Sequence, residues 1–408
     1  MNKSLLIKNI GRLVTMEEGD DRDGKLGVIL DAAVQIEEGK ISWIGTSSES
    51  VNMNADDVID IGGQVVMPGL IDCHTHLVHA GSREDEFNLR SQGKSYKEIA
   101  EAGGGIMSTV RSTREASLED LYDEVSKRAD EAIRNGITTM EIKTGYGLDL
   151  ATEIKMADAI GELDSSHPLE VYGTFLGAHI VPAEYKSRRS EYIDIVVSQM
   201  LPQIAKKEWI TSCDVFIEDI AYSIDEARSI ARAAKDLGLA IHLHVDQFGD
   251  GGGAKLAAEL GALSADHLDH TSKKGMKLMA EGGVIGVVLP GASFFTGGGH
   301  YPDVRKMFEN GMKVAIATDY NPGTTPSLNL MLNASIAVTQ MGMTCDEALL
   351  GITRTAAEAL GLAYRGVVAE GMRGDLIVLD CTDEYYPLYR YGENMISQVI
   401  IGGNAINT

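Results

Sequence analysis

Met67-Pro68-Gly69-Leu70-Ile71-Asp72-Cys73-His74-Thr75-His76 is the stretch that decides the fold. It closes an apolar run, Gln64–Cys73, with two histidines one residue apart. Residues two apart on a strand point to the same face, so both imidazoles can reach one cation. An isolated H-x-H pair is as readily a core or surface pair; the rest of the chain gives this one its weight. Seven more runs of strand length follow: Thr138–Ile142, Leu169–Phe175, Cys213–Ile217, Ala240–Val245, Ala262–Ala265, Val284–Leu289 and Lys313–Ala317. Helical patterns such as Leu118–Asn135, Ala151–Leu163, Ser223–Gly238 and Gly253–Gly261 lie between them. Eight buried strands alternating with helices over about 250 residues or more predict a closed, TIM-like (β/α)8 barrel of the α/β class. A doubly wound open sheet competes, but it usually has fewer strands, and no GxGxxG follows the first run.

A barrel places its chemistry at the C-terminal ends of the strands. After the eight runs come His74/His76, Lys143/Tyr146, His179, Glu218, His244/Gln247, His267, Pro290 and Asp319/Asn321. Five of the ten histidines fall there, which a random placement would not produce. In Ile241-His242-Leu243-His244 the sequence leaves open which histidine ligates; His244 is nearer the strand end, and His242 reads as a hydrogen-bonded core residue. His267 ends the sixth run, with Asp266 expected on the opposite face by alternation. His79 reads as a loop residue, and His270 falls near the start of the next helix. Asp319 ends the eighth run and is placed to complete a site of three histidines and one carboxylate; a helix N-cap is its bland alternative. Such ligands suit Zn2+ or Fe2+ and argue against soft copper. Lys143 reads as a structural ion pair, with a carbamylated bridge between two metals as the alternative, and Glu218 as a paired carboxylate. The clusters Gly103–Gly105, Gly251–Gly253 and Gly297–Gly299 lack the P-loop Lys-Ser/Thr and read as close-approach loops.

The two ends of the 408-residue chain have a different texture. Leu5–Val14, Ala33–Ile36 and Ile41–Ile44 are β-rich, with a hairpin turn at Glu37–Lys40; Gly366–Val368, Asp375–Leu379 and Gln398–Ile401 match them. Neither end makes a comfortable sheet alone, so residues 1–64 and 366–408 are expected to form one small β-sandwich domain beside a barrel of 65–365. Sixty acidic against 36 basic residues give a net charge of −24, which leaves no basic surplus for nucleic acid or an anionic membrane surface. Cys73, Cys213, Cys345 and Cys381 lie far apart, without disulfide or thiolate-zinc spacing. Met1-Asn2-Lys3-Ser4 leads into a strand rather than a signal peptide, and no run approaches the roughly 20 apolar residues that span a bilayer. A soluble, cytoplasmic protein is expected.

The strand-end H-x-H after Pro-Gly-Leu-Ile-Asp, the mid-chain histidine, Asp266-His267 and Thr318-Asp319 resemble the amidohydrolase superfamily. Its members are metal-dependent (β/α)8 barrels with a small β-sandwich made from both chain ends. Finer blocks resemble the imidazolonepropionase family of histidine degradation over nearly the whole chain: Ala80-Gly81-Ser82-Arg83-Glu84-Asp85-Glu86-Phe87, Ala102-Gly103-Gly104-Gly105-Ile106, Glu141-Ile142-Lys143-Thr144-Gly145-Tyr146-Gly147-Leu148, Phe175-Leu176-Gly177-Ala178-His179 and Asp319-Tyr320-Asn321-Pro322-Gly323-Thr324.

The resemblance implies one divalent metal per subunit, Zn2+ or Fe2+, on His74, His76, His244 and Asp319. It implies substrate contacts at Arg83, Tyr146, His179, Gln247, Asn321, Gly323 and Thr324, with His267 near the attacking water. Where some members carry glutamate this chain has Gln247, whose amide is no base, so proton transfer is expected of Asp319 and His267. The implied reaction is hydrolysis of the cyclic amide of 4-imidazolone-5-propanoate to N-formimidoyl-L-glutamate, with Arg83 on the propanoate; from the residues alone Arg83 reads as an ion pair with Glu84 or Glu86. A homodimer is expected from the same resemblance. Another cyclic amidase or a heterocycle deaminase could use the same metal, although a nucleobase offers Arg83 no carboxylate. A non-catalytic metal scaffold predicts an incomplete ligand set, and a nucleotide-binding module lacks its phosphate loop.

Overall fold

In a computed structural model, which describes residues 4–17, 24–94, 98, 103–297 and 299–407, the run Gln64–Cys73 is two strands that serve two different sheets. Met1–Lys3, Ala102 and Gly298 lie outside the described residues.

The chain begins with β1 (Ser4–Val14), β2 (Val28–Glu37), β3 (Lys40–Thr46), β4 (Asp57–Asp60) and β5 (Val65–Pro68). β1 pairs antiparallel with β2 and parallel with β4 and β5. The expected hairpin joins β2 to β3 through Glu38 and Gly39, both left-handed at φ 52° and 77°, the two-residue turn that matches strand twist. Gly69 then carries the chain from one sheet to the other. Its N–H bonds the carbonyl of Asp375 at 2.9 Å, and any side chain on it would collide with Thr138.

β6 (Leu70–Asp72) opens the barrel. β7 (Ile137–Lys143), β8 (Glu170–Ala178), β9 (Ile210–Ile217), β10 (Ala240–Val245), β11 (Ser264–His267), β12 (Ile285–Val288) and β13 (Val314–Ile316) follow, each parallel to the one before. Seven of the eight expected runs supply strands to this one sheet, and the first, Gln64–Cys73, supplies it only with its second half, Leu70–Asp72. The seam between β13 and β6 closes just beyond the strands: the Asp319 N–H donates to the His74 carbonyl at 3.1 Å, and the His76 N–H to the Tyr320 carbonyl at 2.8 Å. The closing hydrogen bonds therefore join the H-x-H segment to the Asp319 segment directly.

The expected helices form at Leu118–Arg134, Leu150–Ser166, Ile224–Asp236 and Gly253–Leu260. Capping boxes at Ser117/Asp120 and Ser223/Glu226 satisfy the first free N–H groups of two of them. β14 (Leu376–Leu379), β15 (Ile396–Ile401) and β16 (Asn404–Ile406) complete the terminal sheet, β14 lying antiparallel to β5. This sheet has its own core, including Ile7, Ile10, Val34, Val66, Leu376 and Ile400. Gly366–Val368, expected as a strand, is irregular; Val368 is apolar because it is buried in that core, and its N–H bonds the Thr15 carbonyl. Asp57–Asp60 and Asn404–Ile406 are strands without a buried residue, hence without an apolar run to announce them.

Arg365, its side chain 1% exposed, ties the two sheets together: it bonds Thr139 Oγ1 at 2.9 Å and Asp375 Oδ2 at 2.9 Å, and pairs with Glu170 Oε1 at 2.6 Å. Removing one partner of a buried pair strands the other charge, at a cost of about 3–5 kcal/mol. Arg365→Met is expected to lower the urea midpoint of unfolding markedly, whereas Lys94→Met, which removes an exposed pair with Glu98, is expected to shift it by no more than about 1 kcal/mol equivalent.

Candidate active site

The histidines that end the strands converge. Asp319 Oδ1 lies 3.6 Å from His74 Nε2 and 3.5 Å from His76 Nε2, and His76 Nε2 lies 3.5 Å from His244 Nε2. Four ligands at about 2.1 Å around a tetrahedral cation would stand about 3.4 Å apart, so these spacings fit a single ion. His267 sits beside them, its ring centroid 5.3 Å from that of His244, and one of its nitrogens shares a second convergent set with His74 and His244. All five side chains are buried.

Electrostatics supports the same fit. Burial, reinforced by Lys143 and the neighbouring imidazoles, holds His74 well below the usual histidine range; burial likewise lowers His76, His244 and His267. Neutral imidazole is the form that donates a lone pair to a metal. His74 Nε2 is buried with no hydrogen-bond partner, an expensive condition unless a cation takes the lone pair. Burial raises the Asp319 carboxyl to about 8, and a cation held beside it would lower it again.

Beneath the histidines lies a charged layer. Asp266 Oδ2 is 2.6 Å from His74 Nδ1, and Asp214 Oδ2 is 2.8 Å from His244 Nδ1. Asp266 hydrogen-bonds His74 Nδ1, which fixes that ring with Nε2 free to ligate, whereas Asp214 meets His244 Nδ1 as a close ion-pair contact. Lys143 Nζ holds these acids at 2.7 Å from Glu141, 2.9 Å from Asp214 and 3.9 Å from Asp266. Burial pulls its ammonium down, but Asp214, Glu141 and Asp266 more than reverse this, so Lys143 is a charged ion-pair hub rather than a bridging carbamate. Asp266 corrects the alternation reading. β11 ends in left-handed backbone at His267 (φ 75°) and Leu268 (φ 64°), which turns His267 inward while Asp266 keeps its own inward place.

Asp214, Asp266, Glu141 and Glu153 are the functional residues that the reading of strand ends missed. The available signal was a charge inside an apolar run, at Cys213-Asp214-Val215 and Met140-Glu141-Ile142. Glu153 is buried in a helix and accepts the N–H groups of Gly145 (3.1 Å), Gly147 (2.8 Å) and Leu148 (2.8 Å), so it shapes the loop that carries Tyr146. Glu218 accepts the Phe248 N–H at 2.9 Å and braces the loop after β10. His242 bonds Ser264 Oγ at 2.8 Å in the barrel core, His79 is buried in the loop after β6 against Tyr320, and His270 is exposed ahead of the helix Lys273–Gly282.

One wall of the site is aromatic. His179 stacks on His76 (5.2 Å, 17°), its Nδ1 lies 3.1 Å from the Gly145 carbonyl, and Tyr146 is 5.6 Å from it. The opposite wall is the loop after β13. The Asn321 amide NH2 donates to the Asp319 carbonyl (2.8 Å) and Thr324 Oγ1 (2.6 Å), and its oxygen accepts the Gly323 and Thr324 N–H groups (2.8 Å each). Its hydrogen-bonding capacity is filled, so the Asn321 side chain builds the loop rather than reaching outward. Thr324 Oγ1 lies 3.5 Å from Asp319 Oδ2. Arg83 packs against Gly323, where any side chain would collide with it, and its guanidinium pairs with Glu86 at 2.8 Å. Gln247 is half-buried after Asp246, and among the described residues no hydrogen bond ties its amide to the histidine cluster.

A parallel (β/α)8 barrel with three histidines and an aspartate converging at its C-terminal mouth defines a metal-dependent hydrolase, and the Amidohydrolase family model matches residues 65–406. Solved structures share the fold at low identity. They include a Xaa-Pro dipeptidase (18% identity, TM-score 0.72, 99% of this chain and 100% of that one) and an adenosine deaminase from Xanthomonas campestris with bound zinc (19%, TM-score 0.71, 98% and 92%). Far greater similarity links the chain to proteins named imidazolonepropionase. That of Alkaliphilus oremlandii is 41% identical over 100% of this chain and 98% of its own, and that of Geobacillus kaustophilus 42% identical over 99% and 98%. The chain belongs to the imidazolonepropionase family of amidohydrolases.

If Asp266 orients His74, Asp266→Asn is expected to weaken metal affinity about 10–100-fold, read by competition with a chelator of known affinity. Unchanged affinity would show that the 2.6 Å contact does not tune the ligand.

Proposed function

We propose that the protein hydrolyses the cyclic amide of 4-imidazolone-5-propanoate to N-formimidoyl-L-glutamate in histidine degradation, using the convergent His74, His76, His244 and Asp319 to hold one divalent cation, Zn2+ or Fe2+. That convergence carries the proposal, because it puts a cation site directly beside an aromatic wall suited to a flat five-membered ring. When bound, the cation polarises the carbonyl and lowers the pKa of water from about 15.7 towards about 7.

The chain's own residues do the remainder. Tyr146 and His179 hold the ring. Asp319 Oδ2, the oxygen beside Thr324, takes the proton of the attacking water as its oxygen bonds the carbonyl carbon. It then passes that proton to the ring nitrogen as the C–N bond breaks. His267, neutral through burial, donates a hydrogen bond to the carbonyl oxygen. Gln247 orients water or substrate without changing protonation. Arg83 holds the propanoate by its planar fork, for which it must share its bond to Glu86. Gly323 and Thr324 line the opposite wall, with Asn321 acting through the loop it builds. The family resemblance further supports a homodimer and a cytoplasmic location.

Turnover is expected on substrate generated from urocanate by urocanase and followed by loss of ultraviolet absorbance. Asp319→Asn is expected to lower kcat at least about 10²–10⁴-fold. Arg83→Ala is expected to raise KM about tenfold or more while sparing kcat. Metal-replete protein without turnover overturns this substrate; a heterocycle deaminase would instead accept a ring without a carboxylate and ignore Arg83→Ala.

A further inference from the structure

Helix Glu84–Ser91 turns one face inward. Arg83, Glu86 and Arg90, at spacing i, i+3 and i+7, are half-buried, whereas positions 84, 85, 87, 88 and 89 are exposed. Arg83 is already neutralised: its Nε and Nη2 lie 2.9 Å and 2.8 Å from Glu86 Oε2, and Glu86 Oε1 accepts the Gly105 N–H at 2.8 Å. A carboxylate that approached Arg83 alone would meet a neutral pair, and Glu86 would repel it.

Arg90 supplies what that pair lacks. Among the described residues no carboxylate lies at ion-pair distance from it, so the cluster of two guanidiniums and one carboxylate is left with one positive charge. Its Nη2 donates to the Gly323 carbonyl at 3.3 Å, the same residue that Arg83 packs against. Its guanidinium carbon lies 5.8 Å and 5.2 Å from the ring centroids of Phe87 and Phe295, which stack on each other at 5.0 Å. Two rings that hold the planar group reduce the freedom it would lose on binding a ligand. Half-burial strengthens its attraction for an anion relative to an exposed arginine.

We propose that Arg90 is a specificity-determining residue that joins Arg83 in holding the substrate's side-chain carboxylate beside Gly323. The inference rests on the cyclic-amide reading above for the identity of the substrate, but it concerns the carboxylate subsite alone.

The test uses the metal-loaded protein and two probes, 3-(imidazol-4-yl)propanoate and its methyl ester, with dissociation constants from calorimetry. The wild type is expected to prefer the acid, and Arg90→Gln to reduce that preference about 10–100-fold while leaving ester affinity within about twofold. A purely structural role would weaken acid and ester alike, so the ratio isolates the charge. Arg90→Lys keeps the charge without the fork and is expected to restore part of the preference. On 4-imidazolone-5-propanoate, Arg90→Gln is expected to raise KM by the same factor with kcat little changed. An undiminished preference in Arg90→Gln, or none in the wild type, overturns the proposal. Preference lost in Arg90→Gln without wild-type turnover would sink the reaction assignment and leave the subsite standing; turnover with an undiminished preference would sink Arg90 alone.

Discussion

A single ammonium group, Lys143 Nζ, lies fully buried among Glu141, Asp214 and Asp266, and the arrangement of the histidine cluster above them depends on it. Three carboxylates in a barrel core would be prohibitively costly without a counter-charge. With Lys143 present they stay in place, and two of them reach up to the Nδ1 atoms of His74 and His244. The His74 ring is thus oriented by a hydrogen bond from beneath the proposed site, and His244 rests on an ion-pair contact there. One lysine does not balance three carboxylates, and Asp319 adds a fourth acid above them; the divalent cation proposed between the histidines would offset most of the excess.

The seam of the barrel has a second role. Hydrogen bonds between the His74–His76 segment and the Asp319–Tyr320 segment close the cylinder and also bring the proposed ligands after the first and last strands together. The contacts that close the barrel are therefore also the ones that set these side chains next to one another. Left-handed backbone at Asp246, His267 and Asp319 marks where strands end sharply so that side chains can turn into the mouth.

Around this centre the walls are built by backbone capture. Glu153 gathers three N–H groups under the Tyr146 loop, and Asn321 spends its whole amide on the loop between Asp319 and Thr324. These rigid loops present Gly323, whose missing side chain leaves room for Arg83. For the proposed reaction a fixed loop matters, because a carboxylate anchor and a cation would have to stand at a set separation to hold a ring between them.

The eight strands, the histidines at their ends and the pairing of the two termini were legible in the sequence because they follow from local patterning. Apolar runs report burial, alternation reports the face of a strand, and strand ends report the mouth of a barrel. The same local logic misplaced Asp266, because one left-handed residue, His267, breaks the alternation it relies on. It took Gln64–Cys73 for one strand, because Gly69 redirects the chain without interrupting its apolar character. For Arg83 it offers a plain ion pair with Glu84 or Glu86, and the structure forms the pair with Glu86; the ligand role comes from the family resemblance, and Arg90 carries no local signal of its own. By itself the sequence determined which residues are chemically able to bind a metal and which strand each one ends. Only the tertiary structure decided which charges neutralise one another, because Lys143, Asp214 and Asp266 lie far apart along the chain and their balance depends on distances of a few ångströms across the barrel.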